Sequence, residues 1–463
     1  MPSSSAARAE APTTESRPLA GRMAAAIAAQ CDANLTAAAG EKLKICLLDF
    51  LACAFEAHSL PWARQAAALA TGGAGPCAII GTSVAAPAAD AVFANSVAGH
   101  GLVREDMHTG SVSHLGIVVL PPLLALAQER RVDGRSFAAA AIVGYEVGGR
   151  IGRALVTPEF ARSFRPTGFT GPLAAAAACA HVLRLDEAQT ASALSLAANM
   201  VGGQNQWPHT GADEMFFEAG VAARNGLTAA RLAAQGAHGS EKALEGEAGL
   251  FTAYRPDHQA PDVRLFDGEL EIMPVFFKPV PVCNFAQTPC LAAIELAKRD
   301  HIAPADIVSV LVTASRAAKA YPGCDYAGPF ARVLQAKMSI HYAVASALLR
   351  GAVDETGYLK LDDAALLALA AKVKVEAGDG FTAAFPGKQG AEVTVRLKDG
   401  RVLSHRLEDV VPADVDLIRR RFRTAASKAV GGEAAKALEA AVGDLDRSAD
   451  VGALMKLTLA GAA

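Results

Sequence analysis

A chain of 463 residues, 52% apolar and only 6% aromatic, can bury a large core, on a prior of roughly 150 residues per domain two or three domains. Its net charge of −3, with basic and acidic side chains interspersed, offers no basic stripe for nucleic acid. Mean hydropathy is +0.24, but no apolar run reaches the roughly 18 residues of a membrane span, so no spanning helix is expected.

The opening stretch, MPSSSAARAEAPTTESRP (residues 1–18), is polar and rich in Pro and Ser, and reads as a disordered leader rather than a secretion signal. From 19 to 70 the apolar residues recur at helical spacing, as in KLKICLLDFLACAF. A turn, TGGAGP, and a short strand-like piece, CAIIG, follow. Helical patterning resumes over 85–99, continues through Arg131, and returns over 137–155, 171–183 and 185–200. Two-residue alternation is almost missing before Leu265. The texture changes near Asp257, where prolines and β-branched residues replace alanine. A helix is expected over 291–299 and a strand over 307–315. The segments KVKVEAG and AEVTVRLKDGRVLSHRLEDV alternate, the second around a Lys398-Asp399-Gly400 turn, which is a hairpin signal.

Helices return after Pro412. The expected fold class is mainly α: a large all-helical domain formed by both termini (19–264 and 406–463) with a smaller inserted α+β domain (265–405). A cleft between two such parts suits a small molecule. Eight scattered cysteines form no CxxC pair and read as buried free thiols of a reducing, cytoplasmic setting. The basic run IRRRFR (418–423) reads as a solvated helix face or an oligomer contact.

Chemistry concentrates in NSVAGHGLVREDMHTGSVSHLGIVVLPP, which places His100, Glu105, Asp106, His108 and His114 within fifteen residues. Imidazoles can take and give protons near neutrality, and a loop pinned between core helices is a natural place to hold them. His100 also suits a plain helix end, and Glu105 and Asp106 suit solvated loop charges. The spacing of His108 and His114 does not suit two metal ligands on one helix face, and no metal is expected. In FKPVPVCNF, Lys278 lies in apolar surroundings, where it could hold an anion or simply snorkel from a strand end. RSFRPTGFTGP offers Arg165 and glycine-turn N–H groups before a helix, suited to a carboxylate. Lys337, His341 and Tyr342 fall on a further helix. No phosphate loop, dinucleotide fingerprint, nucleophile elbow or zinc spacing occurs, so nothing calls for a cofactor. That leaves proton abstraction, addition–elimination or isomerisation.

Together, HGLVREDMH with TGSVSHLG and IVVLPPLLALA, then GYEVGGRIGRAL, FRPTGFTGPLAAAAA, FKPVPVC and AKMSIHYAVASALLRG, resemble segments of the MmgE/PrpD family in the family's order. The resemblance runs from Leu19 to about Leu407. It implies a homodimer, an interdomain site without cofactor, and small di- or tricarboxylate substrates. It also implies catalytic roles for His114, Lys278, Tyr145 and His108, and substrate-binding roles for Tyr342 and Asp106; Arg165, suited to a carboxylate by its own surroundings, is expected to bind substrate as well. Departures stand beside these matches. Val103 and Met107 replace a family Asp and Thr. Arg165 replaces a histidine, Met215 a lysine, Glu218 a histidine, and Gln287 a further histidine. Losing an Asp and a Lys weakens dehydration and decarboxylation, whereas an epimerase needs only opposed proton-transfer groups and cations around a carboxylate. The expectation is therefore an epimerase of a dicarboxylate such as iminodisuccinate. The alternatives are a lyase of the same family and, from another class, an inactive binding protein.

Overall fold

The structure is a computed structural model of the chain and describes residues 17–30, 35–70, 74–255 and 261–461. The leader up to residue 16, Cys31 and the first three residues of the TGGAGP turn lie outside the described residues. Most of the chain is helical, with a small sheet in its second half, as the sequence pattern predicts.

The helical part is organised around Ala88–His100. Ala91 through His100 are all buried, so this helix sits in the middle of the core. It packs against Ala37–Ala57, Gly116–Glu129 and Glu214–Ala234. Small side chains make these approaches close. Helices Pro166–Val182 and Glu214–Ala234 touch where a Cβ on Gly226 would fall 2.4 Å from that of Ala175. Helix Pro166–Val182 starts five residues earlier than the glycines suggest. Proline at its first position has the right φ and no N–H to lose, so Thr167, Gly168 and Thr170 are helical rather than part of a loop. The lysine–tyrosine segment is likewise two helices, Val333–Met338 and Ile340–Arg350, with Ser339 capping the second through Tyr342 N–H.

Among the described residues before the second half, strands are limited to β1 (Cys77–Ala78) and β2 (Ala85–Ala86). The main sheet has β3 (Ile307–Ala314), β4 (Val373–Ala377), β5 (Ala391–Leu397) and β6 (Val402–Leu407), in the order β4-β3-β5-β6. β3 and β4 are parallel, and the other pairs are antiparallel. Gly400, at φ +88°, turns the β5–β6 hairpin. Val310, Val312, Val373, Val375, Val393 and Val395 are buried, giving one apolar face that helices Gln287–Asp300 and Ile340–Arg350 help to cover. The C-terminal helix Val415–Val430 returns to pack on Ala37–Ala57. IRRRFR lies on helix Val415–Val430 with Arg420 and Arg423 exposed, as on a solvated helix face; Arg419 and Arg423 pair with Glu439, and Arg421 donates to the carbonyls of Lys278 and Pro279. No helix among the described residues is long and apolar enough to cross a membrane.

Candidate active site

The chain leaves helix Ala88–His100 through a tight turn in which Val103 takes φ +58°. A β-branched residue in this left-handed region costs about 1–2 kcal/mol, so the turn must be held from outside. Two buried lysines hold it. Lys337 Nζ donates to the Leu102 carbonyl at 2.9 Å, and Lys278 Nζ to the Val103 carbonyl at 3.0 Å. A backbone bridge delivers Lys278: Met107 and Phe276 exchange N–H···O bonds of 2.8 and 3.0 Å.

Beyond the turn, Glu105 is buried with its Oε1 2.6 Å from His100 Nδ1 and 2.9 Å from His114 Nδ1. Arg165 Nη2 lies 3.1 Å from His100 Nε2. A guanidinium only donates, so His100 accepts at Nε2 and its Nδ1–H points to Glu105. His114 Nδ1 also lies 2.9 Å from the Asp106 carbonyl, an acceptor, so the proton sits on Nδ1 and Nε2 is bare. The His114 backbone is fixed by Thr167, whose hydroxyl accepts its N–H at 3.1 Å.

His114, Arg165 and Lys278 line a cavity of about 20 Å³ together with Val103, Met107, Met215, Cys283 and Tyr321. Burial, reinforced by the Lys278 charge, pushes His114 down to about 3. Burial also lowers His100 and Lys278 against the pull of Glu105. Burial alone would raise Glu105, but His100, His114 and Lys278 outweigh it and hold the carboxyl well below its usual range. The site thus brings together a carboxylate, two imidazoles whose protonation burial disfavours, a guanidinium and the buried amine of Lys278.

Ligand atoms of His100, Glu105 and His114 lie within 4.8 Å of one another, close enough to surround an ion. The donor set does not suit one. The nitrogen each imidazole turns to Glu105 is the protonated one, Arg165 is bonded to His100, and Lys278 acts on all three residues. The cluster is better described as a hydrogen-bonded relay than as a metal centre.

Of the expected site residues, His114, Lys278 and Arg165 meet at this cavity. The other four do not line it. Asp106 accepts from Tyr145 Oη at 2.6 Å and from Gly116 N–H at 3.1 and 3.2 Å, capping helix Gly116–Glu129. Gly116 is required there, because a Cβ would fall 2.7 Å from Asp106 Oδ2 and 2.8 Å from Tyr145 Oη. His108 is locked at both nitrogens, by Ser111 at 2.8 Å and Glu271 at 2.6 Å, and Glu271 is held in turn by Arg150 and Arg153. Tyr342 donates to the Gly357 carbonyl at 2.9 Å and stacks on Tyr358. His341 pairs with Asp325.

Conversely, His100 and Glu105, which suited a helix end and a loop charge, are central to the relay. Tyr321 was missed altogether. Its hydroxyl lies 3.5 Å from Arg165 Nη1, and nothing in its local sequence signals a site. Cys283 also faces the cavity, with its sulfur 3.7 Å from that of Cys324. All the described cysteines are buried free thiols. Glu218 lies beside Arg165, and burial raises its carboxyl to about 7 despite that neighbour.

The fold is a helical body with a small sheet-bearing part, and a histidine relay with Arg165 and Lys278 lies on a buried cavity. Residues 21–261 match the MmgE/PrpD N-terminal domain and residues 280–447 the MmgE/PrpD C-terminal domain. The chain belongs to the MmgE/PrpD family. It is 28% identical over 453 residues to a cis-aconitate decarboxylase-like protein, oryM, of Aspergillus oryzae, covering 90% of this chain and 92% of that one. It is 24% identical to a cis-aconitate decarboxylase of Aspergillus terreus (90% and 91% covered) and 26% identical to the human cis-aconitate decarboxylase (80% and 79% covered).

Proposed function

We propose that the protein is a carboxy-lyase acting on a small unsaturated polycarboxylate of the cis-aconitate type. The observation that carries this reading is the convergence of Arg165, Lys278 and the bare Nε2 of His114 on one cavity, in a chain whose named relatives are decarboxylases. Epimerisation, expected from the sequence, has no named relative behind it. It also needs opposed acid and base groups. Tyr145 and His108 are committed elsewhere, and His114 and Lys278 are both anchored on the Val103–Asp106 turn.

The chemistry needs a proton donor and charge stabilisation. The electron pair of the breaking C–CO2 bond forms a new C=C. The old double bond shifts, and its far carbon takes one proton. Arg165 and Lys278 hold the remaining carboxylates. Burial and Lys278 keep His114 neutral. A bound polyanion opposes both effects, so His114 gains a proton on binding and becomes the donor.

Incubation with cis-aconitate in D2O tests the proposal. CO2 release, with one deuterium in the new methylene group by NMR, supports it. Deuterium exchange at the stereocentre of a dicarboxylate such as iminodisuccinate, without CO2 from any acid, restores the epimerase reading. No exchange and no CO2 from any di- or tricarboxylate leaves the binding-protein reading.

A further inference from the structure

The inner cavity is far smaller than the space beside it. An outer cleft of about 500 Å³ opens next to the 20 Å³ cavity, and the two share Val112, Phe285 and Tyr321 as wall residues. That outer volume lies in the range of small-molecule sites, roughly 300–1,000 Å³.

The two spaces differ in chemistry. Arg165, Lys278 and His114 all belong to the inner one. The outer one runs between the end of helix Gly134–Leu155 and helix Arg316–Ala320, walled by Val156, Ala317, Ala320 and Phe385. Its charged residues, Glu159, Arg162 and Arg316, are exposed. A compact, fully ionised acid has no use for such walls. A hydrocarbon does, since its transfer from water scales with the apolar area covered.

We propose that the outer cleft is a subsite for a hydrocarbon chain on the substrate, so that the preferred substrate is a polycarboxylate bearing an alkyl extension. The carboxylates occupy the Arg165–Lys278–His114 end, and the chain passes Phe285 and Tyr321 into the outer cleft. This rests on the carboxylate-binding reading above.

Two measurements test it. The first is calorimetric binding of unreactive succinates carrying methyl, propyl, butyl or hexyl groups. Each methylene entering the cleft is expected to tighten binding about fourfold, or about 60-fold from methyl to butyl. Ala317→Trp and Ala320→Trp fill the cleft from its outer wall and are expected to reduce that ratio to about threefold. The second is turnover of cis-aconitates with the same groups, whose kcat/KM is expected to rise with chain length. Equal binding of methyl- and butylsuccinate, or a chain-length dependence that persists in both tryptophan variants, overturns the proposal. So does turnover that is indifferent to chain length. If the succinates show the dependence but no acid loses CO2, the subsite stands and the decarboxylase reading fails.

Discussion

The histidine loop builds two clusters from the same kinds of residue, and they have opposite characters. At one, His100, Glu105 and His114 share protons beside Arg165 and Lys278, and one imidazole nitrogen of His114 is left bare on a cavity. At the other, Asp106 and His108 spend their polar atoms on Gly116, Tyr145, Ser111 and Glu271. Both clusters are buried, so burial does not distinguish them. The difference lies in closure. The Asp106–His108 cluster satisfies itself and ties the loop to helices Gly116–Glu129 and Gly134–Leu155. The His114 cluster leaves Arg165, Lys278 and one His114 nitrogen on a cavity.

The two buried lysines on the Val103 turn should break apart most widely. Lys278→Met is expected to lower kcat/KM about 10³-fold, because it removes a preorganised cation from the cavity. Lys337→Met removes the ion pair with Glu355 and the bond to the Leu102 carbonyl, neither of which faces the cavity. It is expected to cost about 3 kcal/mol of stability and less than about tenfold in kcat. Equal losses of activity in the two variants, measured with melting curves alongside, would erase the distinction.

The histidines should separate next. His114→Ala is expected to lower kcat by about 10²- to 10⁴-fold with little change in unfolding midpoint. It should also abolish the uptake of close to one proton per site on binding an unreactive tricarboxylate, measured by calorimetry in buffers of different ionisation enthalpy. His108→Ala is expected to cost about 2 kcal/mol in denaturant unfolding and to leave proton uptake intact. If His108→Ala removes the uptake and His114→Ala does not, the two roles are exchanged.

The helices were legible because alanine and leucine periodicity is a local property, and so was the β5–β6 hairpin with its Asp399-Gly400 turn. The loop's division of labour was not. Its deciding partners lie far away in sequence: Tyr145 is 39 residues from Asp106, Glu271 is 163 from His108, and Lys278 is 175 from Val103. A line of sequence shows that imidazoles and carboxylates are present, not which of them are already satisfied. The same limit hid Tyr321, a lone tyrosine with no spacing signal. Arg165 and Lys278 could be found because each stands in a Gly/Pro-marked segment that matched a family pattern. Tyr342 matched one too, yet its hydroxyl ends on a backbone carbonyl.

The smallest expected effect concerns Asp106 and tests whether its cluster is as closed as the geometry indicates. Burial raises its pKa to about 6, only partly offset by the bonds from Tyr145 and Gly116. The folded state therefore binds this proton more tightly than the unfolded chain, whose value is 3.8. The resulting stabilisation is present at low pH and is lost as pH rises through about 6. Between pH 5 and pH 7 the loss amounts to about 1 kcal/mol. Asp49 and Glu218, both raised to about 7 by burial, add slopes of the same sign, so the wild type alone cannot isolate the contribution. The difference between wild type and Asp106→Asn can: Glu218 is common to both, and the part of the Asp49 shift that the Asp106 charge causes disappears with Asp106 and has the same sign. Denaturant unfolding at the two pH values should show the wild type losing about 1 kcal/mol more than the variant. A variant with the full wild-type slope would mean that water or a mobile cation reaches Asp106, and the cluster would then be open to the cleft after all.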